Sequence, residues 1–162
     1  MQVIDDYLPE QQFLDIRNTM LNANFPWYYA NSVVSEDVLC HELYNYQFGH
    51  SFYFNYGFQS EYTKIIIPIL EKLNPIAICR IKGILLPRTE ENIMHGFHID
   101  NVHKTKVAIY YVNTNNGYTK FLDGAKINSK SNRLVIFDSD EYHTGSTCTD
   151  EKVRVAINFN YF

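Results

Sequence analysis

The tripeptide His98-Ile99-Asp100, with His143 far downstream, offers two imidazoles and one carboxylate to a metal ion. On an extended strand residues i and i+2 point to the same side, so His98 and Asp100 can converge on one point. A later strand can bring His143 to it. Two histidines and a carboxylate on one side of a divalent ion leave its other positions open, the facial arrangement of non-haem iron sites. The tripeptide alone does not decide the matter. With six His in 162 residues, a His-x-Asp pair arises by chance in roughly a third of such chains. The other reading is a loop histidine beside a solvated aspartate.

The C-terminal segment bears on that choice. In Val153-Arg154-Val155-Ala156-Ile157-Asn158-Phe159-Asn160-Tyr161 the odd positions are apolar. The even positions put Arg154, Ala156, Asn158 and Asn160 on the opposite face. An arginine on an inner face needs an anionic partner, because burying an unpaired guanidinium costs several kcal/mol. Its planar fork matches a carboxylate by two parallel hydrogen bonds. That carboxylate belongs either to an internal Asp or Glu or to an acidic ligand.

Residues 76–162 resemble the 2-oxoglutarate/Fe(II)-dependent oxygenase superfamily and, within it, the prolyl-4-hydroxylase-like branch. The stretches that carry the resemblance are His98-Ile99-Asp100, Ala108-Ile109-Tyr110-Tyr111-Val112-Asn113, Gly117-Tyr118-Thr119-Lys120-Phe121, Leu134-Val135-Ile136-Phe137, Tyr142-His143-Thr144-Gly145 and Arg154-Val155-Ala156-Ile157. The resemblance implies a double-stranded β-helix, a cupin-like jelly roll, with Fe(II) held by His98, Asp100 and His143. It implies that Arg154 clamps the distal carboxylate of the cosubstrate 2-oxoglutarate and that Tyr111 hydrogen-bonds the same group. Ile109 and Asn113 fit an inward-facing strand beside Tyr111. The implied reaction consumes 2-oxoglutarate and O2, yields succinate and CO2, and hydroxylates a substrate. The branch favours a protein side chain such as proline; a small amino acid or a modified nucleotide stays open. The strand before His98 departs from the pattern. Relatives often carry Tyr or Asn there to touch the cosubstrate, whereas this chain has Arg80 and Lys82.

Elements able to position these residues follow from periodicity. Pro9 sits where a helix can begin, and Phe13, Ile16 and Met20 recur at helical spacing, predicting a helix over 9–22. Ser60 is placed to cap a second helix over about 61–73, although Pro68 falls inside it. Alternation predicts one strand over 52–58, with Phe52, Phe54, Tyr56 and Phe58 on a common face. Further strands are expected at 76–86, 107–112, 118–122, 125–128, 133–137 and 153–161. Asn115-Asn116-Gly117 reads as a hairpin turn, and Asp123-Gly124 as another turn. The expectation is a mainly β domain spanning 1–162. Residues 1–75 would be a helical and stranded support packed on one sheet, and 76–162 the jelly-roll core with the metal site.

Composition sets outer bounds. Lys plus Arg is 14 against 18 Asp plus Glu, a formal charge of −4, which argues against a phosphate-coating nucleic-acid binder. Aromatics make up 15% of residues, a bias that suits pleated surfaces. Cys40, Cys79 and Cys148 have no framework spacing, so free thiols in a reducing compartment are expected. With no basic start, no secretory-type apolar run and no membrane-spanning stretch, the reading is a soluble, cytoplasmic protein.

The remaining candidates read mainly as structural residues. His95 lines an entrance or is a solvated loop histidine. His41, His50 and His103 have no partner at ligand spacing. Asp138 and Asp140 either orient ligands or serve as turn residues. The aromatic run 44–58 reads as a packed strand before it reads as a platform for stacking bases. Two rivals to the oxygenase are a cupin-like binding module without turnover and a zinc-dependent hydrolase or isomerase on the same triad.

Overall fold

The computed structural model describes residues 1–34, 42–101 and 104–162; Cys40, His41 and His103 lie outside them. Helix α1, Glu10–Met20, starts behind Pro9 and buries Ile16 and Met20. The second helical region comes in two pieces. The Ser60 hydroxyl accepts from the Tyr62 N–H, and a 3-10 turn, Glu61–Ile66, follows. Helix α2, Ile67–Leu73, then begins afresh and closes on Asn74 in the left-handed region at φ 48°. Pro68 therefore falls in a first turn, where its missing N–H leaves no bond unmade.

The strands are β1 (Gln2–Ile4), β2 (Tyr28–Ala30), β3 (Gln47–Phe54), β4 (Gly57–Phe58), β5 (Ile78–Pro87), β6 (Lys106–Tyr111), β7 (Tyr118–Phe121), β8 (Lys126–Asn128), β9 (Arg133–Asp138), β10 (His143–Gly145) and β11 (Val153–Tyr161). A large sheet runs β1-β9-β6-β11-β5-β3-β2, with β4 paired to β3, and a small one runs β10-β7-β8. Each pairing is antiparallel, and the two sheets make the jelly roll that the family resemblance implies.

Two cores flank the large sheet. On one face Ile16, Met20, Ile66 and Ile69 pack against Tyr110, Leu134, Val155, Ile157 and Phe159. On the other, Val107, Ile109, Tyr111, Val135 and Ala156 meet Phe121 of the small sheet. The odd and even residues of β11 are thus divided between two interiors, as their alternation predicts. Among the described residues no helix is long and apolar enough to cross a membrane.

Two local expectations are corrected. Residues 52–58 are not one strand. Asn55 and Tyr56 both take positive φ, 49° and 64°, and fold the chain into the β3–β4 hairpin, with Phe54 opposite Gly57. Two consecutive left-handed residues make the turn whose twist suits a hairpin, and Asn tolerates that conformation better than most residues other than glycine. Phe52 is buried, while Phe54, Tyr56 and Phe58 are exposed. Nor does Asn115-Asn116-Gly117 join a hairpin. β6 pairs with β9 and β11, whereas β7 pairs with β8 and β10, so this segment carries the chain from one sheet to the other.

Candidate active site

His98, Asp100 and His143 each present a ligand atom, and these atoms lie within 4.8 Å of one another. His143 comes from a strand, β10, as expected, but His98 and Asp100 do not share an extended strand. His98 is an isolated bridge residue, and Asp100 sits in a bend. The His98 N–H donates to the His143 carbonyl at 2.9 Å, and the His143 N–H returns the bond at 3.0 Å. The Asp100 N–H donates to the Ser139 carbonyl at 3.2 Å. Isolated main-chain bonds thus tie His98 and Asp100 to the segment that carries His143, which is itself held in the β10–β7 ladder.

Side-chain partners set their chemistry. His143 Nδ1 lies 3.0 Å from the Glu141 carbonyl, and His98 Nδ1 lies 3.3 Å from that of Gly96. A carbonyl can only accept, so it selects the Nδ1–H tautomer and leaves Nε2 free for a metal. Burial, then the neighbouring His98, push the His143 pKa down, which favours the neutral, ligating form. Asp100 Oδ2 accepts from the amides of Asn158 at 2.8 Å and Asn160 at 3.0 Å. Its Oδ1 faces His98 Nε2 at 3.8 Å. Burial pushes the Asp100 carboxyl up, but His143, Arg80 and the two amides outweigh it and hold the pKa below the ordinary carboxylate value. One oxygen is anchored and the other is turned toward the histidines, a donor set that fits a divalent transition metal. The sequence reading put Asn158 and Asn160 on this face without a role; two amides at i and i+2 beside an arginine were the clue.

Arg154 lies in the same cavity and is only 5% exposed. Its Nε donates to Ser129 Oγ at 2.8 Å, and a terminal nitrogen donates to Thr119 Oγ1 at 3.2 Å. Among the described residues no carboxylate pairs with it. The Tyr111 hydroxyl donates to the same Thr119 oxygen at 2.8 Å, and its ring lies 5.6 Å from the guanidinium. Tyr111 is therefore beside Arg154, with Thr119 between its hydroxyl and the cavity. Gly117 makes room for the arginine. A Cβ there would sit 2.6 Å from Arg154 Cδ, so this glycine is required by close approach and not by a turn.

The cavity of about 390 Å³ connects Arg154 and Thr119 to the His/Asp/His cluster and continues along β5 past Arg80 and Lys82. The Arg80 guanidinium lies 3.4 Å from Asp100 Oδ1. Burial, then Arg80, lower the pKa of Lys82, against the pull of Asp100.

Other sequence candidates lie elsewhere. His95 is fully buried, not a solvated loop residue. Its N–H donates to the Gly145 carbonyl, and its own carbonyl accepts from Thr144 Oγ1, so it braces the strand that carries His143. His50 contacts the Pro26 carbonyl at 2.9 Å and Ser60 Oγ at 2.7 Å, and rings of Phe25 and Phe52 enclose it. Asp138 pairs with Lys106 at the surface, and Asp140 is an exposed turn residue; the carbonyl of Glu141 takes the orienting place considered for them.

Comparison with solved structures bears on the fold that holds these residues. A prolyl hydroxylase from Trichoplax adhaerens, in complex with a hypoxia inducible factor peptide fragment, superposes with a TM-score of 0.66 at 14% identity, over 99% of this chain and 82% of that one. A Pseudomonas putida prolyl-4-hydroxylase gives 0.61 at 14% identity, over 99% and 90%. The fold is that of the 2-oxoglutarate/Fe(II) oxygenases. The epimerase SnoN of nogalamycin biosynthesis, in complex with Fe3+, alpha ketoglutarate and nogalamycin RO, has this oxygenase fold too, at TM-score 0.65 and 9% identity, over 99% and 77%. No protein-family model matches the sequence, and no curated protein does.

Proposed function

We propose that the protein is an Fe(II)- and 2-oxoglutarate-dependent hydroxylase. The observation that carries this reading is the buried Arg154, without a carboxylate partner among the described residues, in one cavity with the His98, Asp100 and His143 cluster. A buried guanidinium satisfied only by hydroxyls is poised for an acid from outside the chain. A hydrolase built on the same triad has no use for it, and a module without turnover has no use for the open facial set.

In this reading His98 Nε2, His143 Nε2 and Asp100 Oδ1 hold the iron, and the tautomers fixed by Gly96 and Glu141 keep both imidazoles ready to ligate. When bound, iron and 2-oxoglutarate supply the oxidation: O2 and 2-oxoglutarate become CO2 and succinate while the substrate gains a hydroxyl. Arg154 binds the far carboxylate of 2-oxoglutarate. Tyr111 and Ser129 orient the arginine, Tyr111 by way of Thr119. Asn158 and Asn160 keep Asp100 ionised and correctly turned. Ile84, Ile109 and Ala156 wall the cavity with apolar surface and limit water around the reacting groups. The two prolyl hydroxylase neighbours, one of them with a peptide bound, support a protein or peptide side chain as substrate.

The test is an anaerobic titration with Fe(II) and 2-oxoglutarate, followed by visible absorption. A charge-transfer band that saturates with both, and is lost in Asp100→Ala, is the expected result. Its absence in the wild-type chain would refute the assignment without any knowledge of the substrate.

A further inference from the structure

We propose that Arg80 and Lys82 form a seat for a carboxylate at the mouth of the cavity, so that the primary substrate is an acid or presents an acidic group beside the carbon that reacts. This rests on the oxygenase reading and names the substrate chemistry of the same site.

Charge gives the first argument. Among the described residues that line the cavity, the cations Arg80, Lys82 and Arg154 face one carboxylate, Asp100. The chain as a whole is acidic, with a net charge of −4, so this excess of positive charge is local to the cavity. Arg154 accounts for one acid, the cosubstrate. Two cations remain.

Register gives the second. On β5, Leu86 lies opposite Arg154 of β11, Ile84 opposite Ala156, Lys82 opposite Asn158 and Arg80 opposite Asn160. At about 3.3 Å per residue, Arg80 stands on the order of 20 Å along the strands from Arg154. Asp100 is held at the level of Asn158 and Asn160. A five-carbon diacid reaching from the metal cluster to Arg154 therefore runs away from Arg80. Arg80 is at the other end of the lining, and its side chain, 40% exposed, is within reach of a reactant arriving from solvent.

Local packing gives the third. The Lys82 stem lies across Gly49 of β3, where a Cβ would come within 2.8 Å of Lys82 Cε. A side chain at position 49 would push the Lys82 tip aside; with glycine there the stem lies close to β3 and the side chain lines the cavity. The contact of Arg80 with Asp100 Oδ1 is long, at 3.4 Å, and the same oxygen faces His98. A divalent ion taken up by that oxygen would add positive charge next to Arg80 and increase its demand for an external anion. A planar carboxylate suits the guanidinium fork, and Lys82 adds a point charge beside it.

The experiment is calorimetry on the Mn(II)-loaded chain saturated with 2-oxoglutarate. One series of probes compares L-aspartate with L-asparagine and L-glutamate with L-glutamine. A second compares two octapeptides that differ only in a central Asp or Asn. The expected result is that the acid binds at least about tenfold more tightly than its amide in one series, the scale of a charge-assisted hydrogen bond. The series that carries the preference identifies the source of the carboxylate as a free acid or a peptide. Arg80→Gln should cut the preference to within about threefold, and Arg80→Lys should restore part of it. If Arg80→Gln does not take up Mn(II), Lys82→Gln carries the same test. Equal binding of acids and amides in both series overturns the seat. So does a preference unchanged in the variants, or loss of the metal in both Gln variants, which would assign the pair to upkeep of the metal site. Failure of 2-oxoglutarate itself to bind the Mn(II)-loaded wild type would instead refute the oxygenase reading.

Discussion

The two faces of β11 are equally buried and chemically opposite. Val155, Ile157 and Phe159 look toward the helices, at 0–1% exposure, and Arg154, Ala156, Asn158 and Asn160 look toward the small sheet, at 3–6%. Burial alone would call both faces core. The helix face is held by apolar contact, which needs no outside partner. The inner face carries a guanidinium and two amides whose partners are hydroxyls and one carboxylate. Polar groups of that kind cost stability unless they are hydrogen-bonded, and a buried charge costs more unless it is paired. In the proposed function one strand divides its labour between holding the fold and holding a ligand, and substitutions should separate the two.

The largest effect is expected on the helix face. Phe159→Ala should cost about 3–5 kcal/mol of unfolding free energy, measured by urea denaturation, because a fully buried ring leaves a cavity. On the inner face, Asp100→Ala should lower divalent metal affinity by at least about a hundredfold, beyond the ten- to hundredfold typical of orienting residues. Its denaturation midpoint should move far less than that of Phe159→Ala. Equal losses of stability in the two variants would erase the division of labour. Arg154→Ala should weaken 2-oxoglutarate binding by about ten- to a hundredfold with the metal retained, and Arg154→Lys should recover part, keeping the charge but losing the fork. Gly117→Ala should imitate Arg154→Ala more mildly, since the new methyl group displaces the arginine stem; titration of 2-oxoglutarate reads both.

The smallest effect concerns pH. Burial pulls the pKa of His50, on the helix side of the sheet, below its ordinary 6.5. The folded state then resists a proton that the unfolded chain accepts. Stability is full above about pH 6.5 and falls as pH drops toward the folded pKa. In His50→Gln this decline between pH 7 and the folded pKa should be shallower, as seen in urea midpoints at several pH values.

The same comparison explains which features could be read from the sequence. β11 was legible to the residue because period-two alternation separated two chemistries, apolar and polar. His98, Asp100 and His143 were legible as a set, but not the means of bringing them together. Reciprocal main-chain bonds between distant segments leave no trace in residue type. The hairpin at Asn55 and Tyr56 was hidden because aromatic residues alternate straight through the turn and imitate one strand. Gly117 was taken for a turn former since Asn-Asn-Gly is a common turn sequence, while the arginine that requires its missing Cβ is far along the chain. Pro68 argued against one continuous helix, and the break into a 3-10 turn and α2 is how the chain accommodates it.

The reciprocal bonds between His98 and His143 also bear on how the proposed site would take up its metal. Those bonds are made by main chain alone and owe nothing to an ion. The backbone ordering that a metal site demands is completed when the chain folds, and only side-chain rotations are left to capture. Loading and release can then be fast and reversible with no local unfolding. The His98 and His143 amide protons should exchange slowly with solvent even in metal-free protein. Under the proposed function, a cell short of iron would keep the apoprotein folded, with its site ready to load when the metal returns.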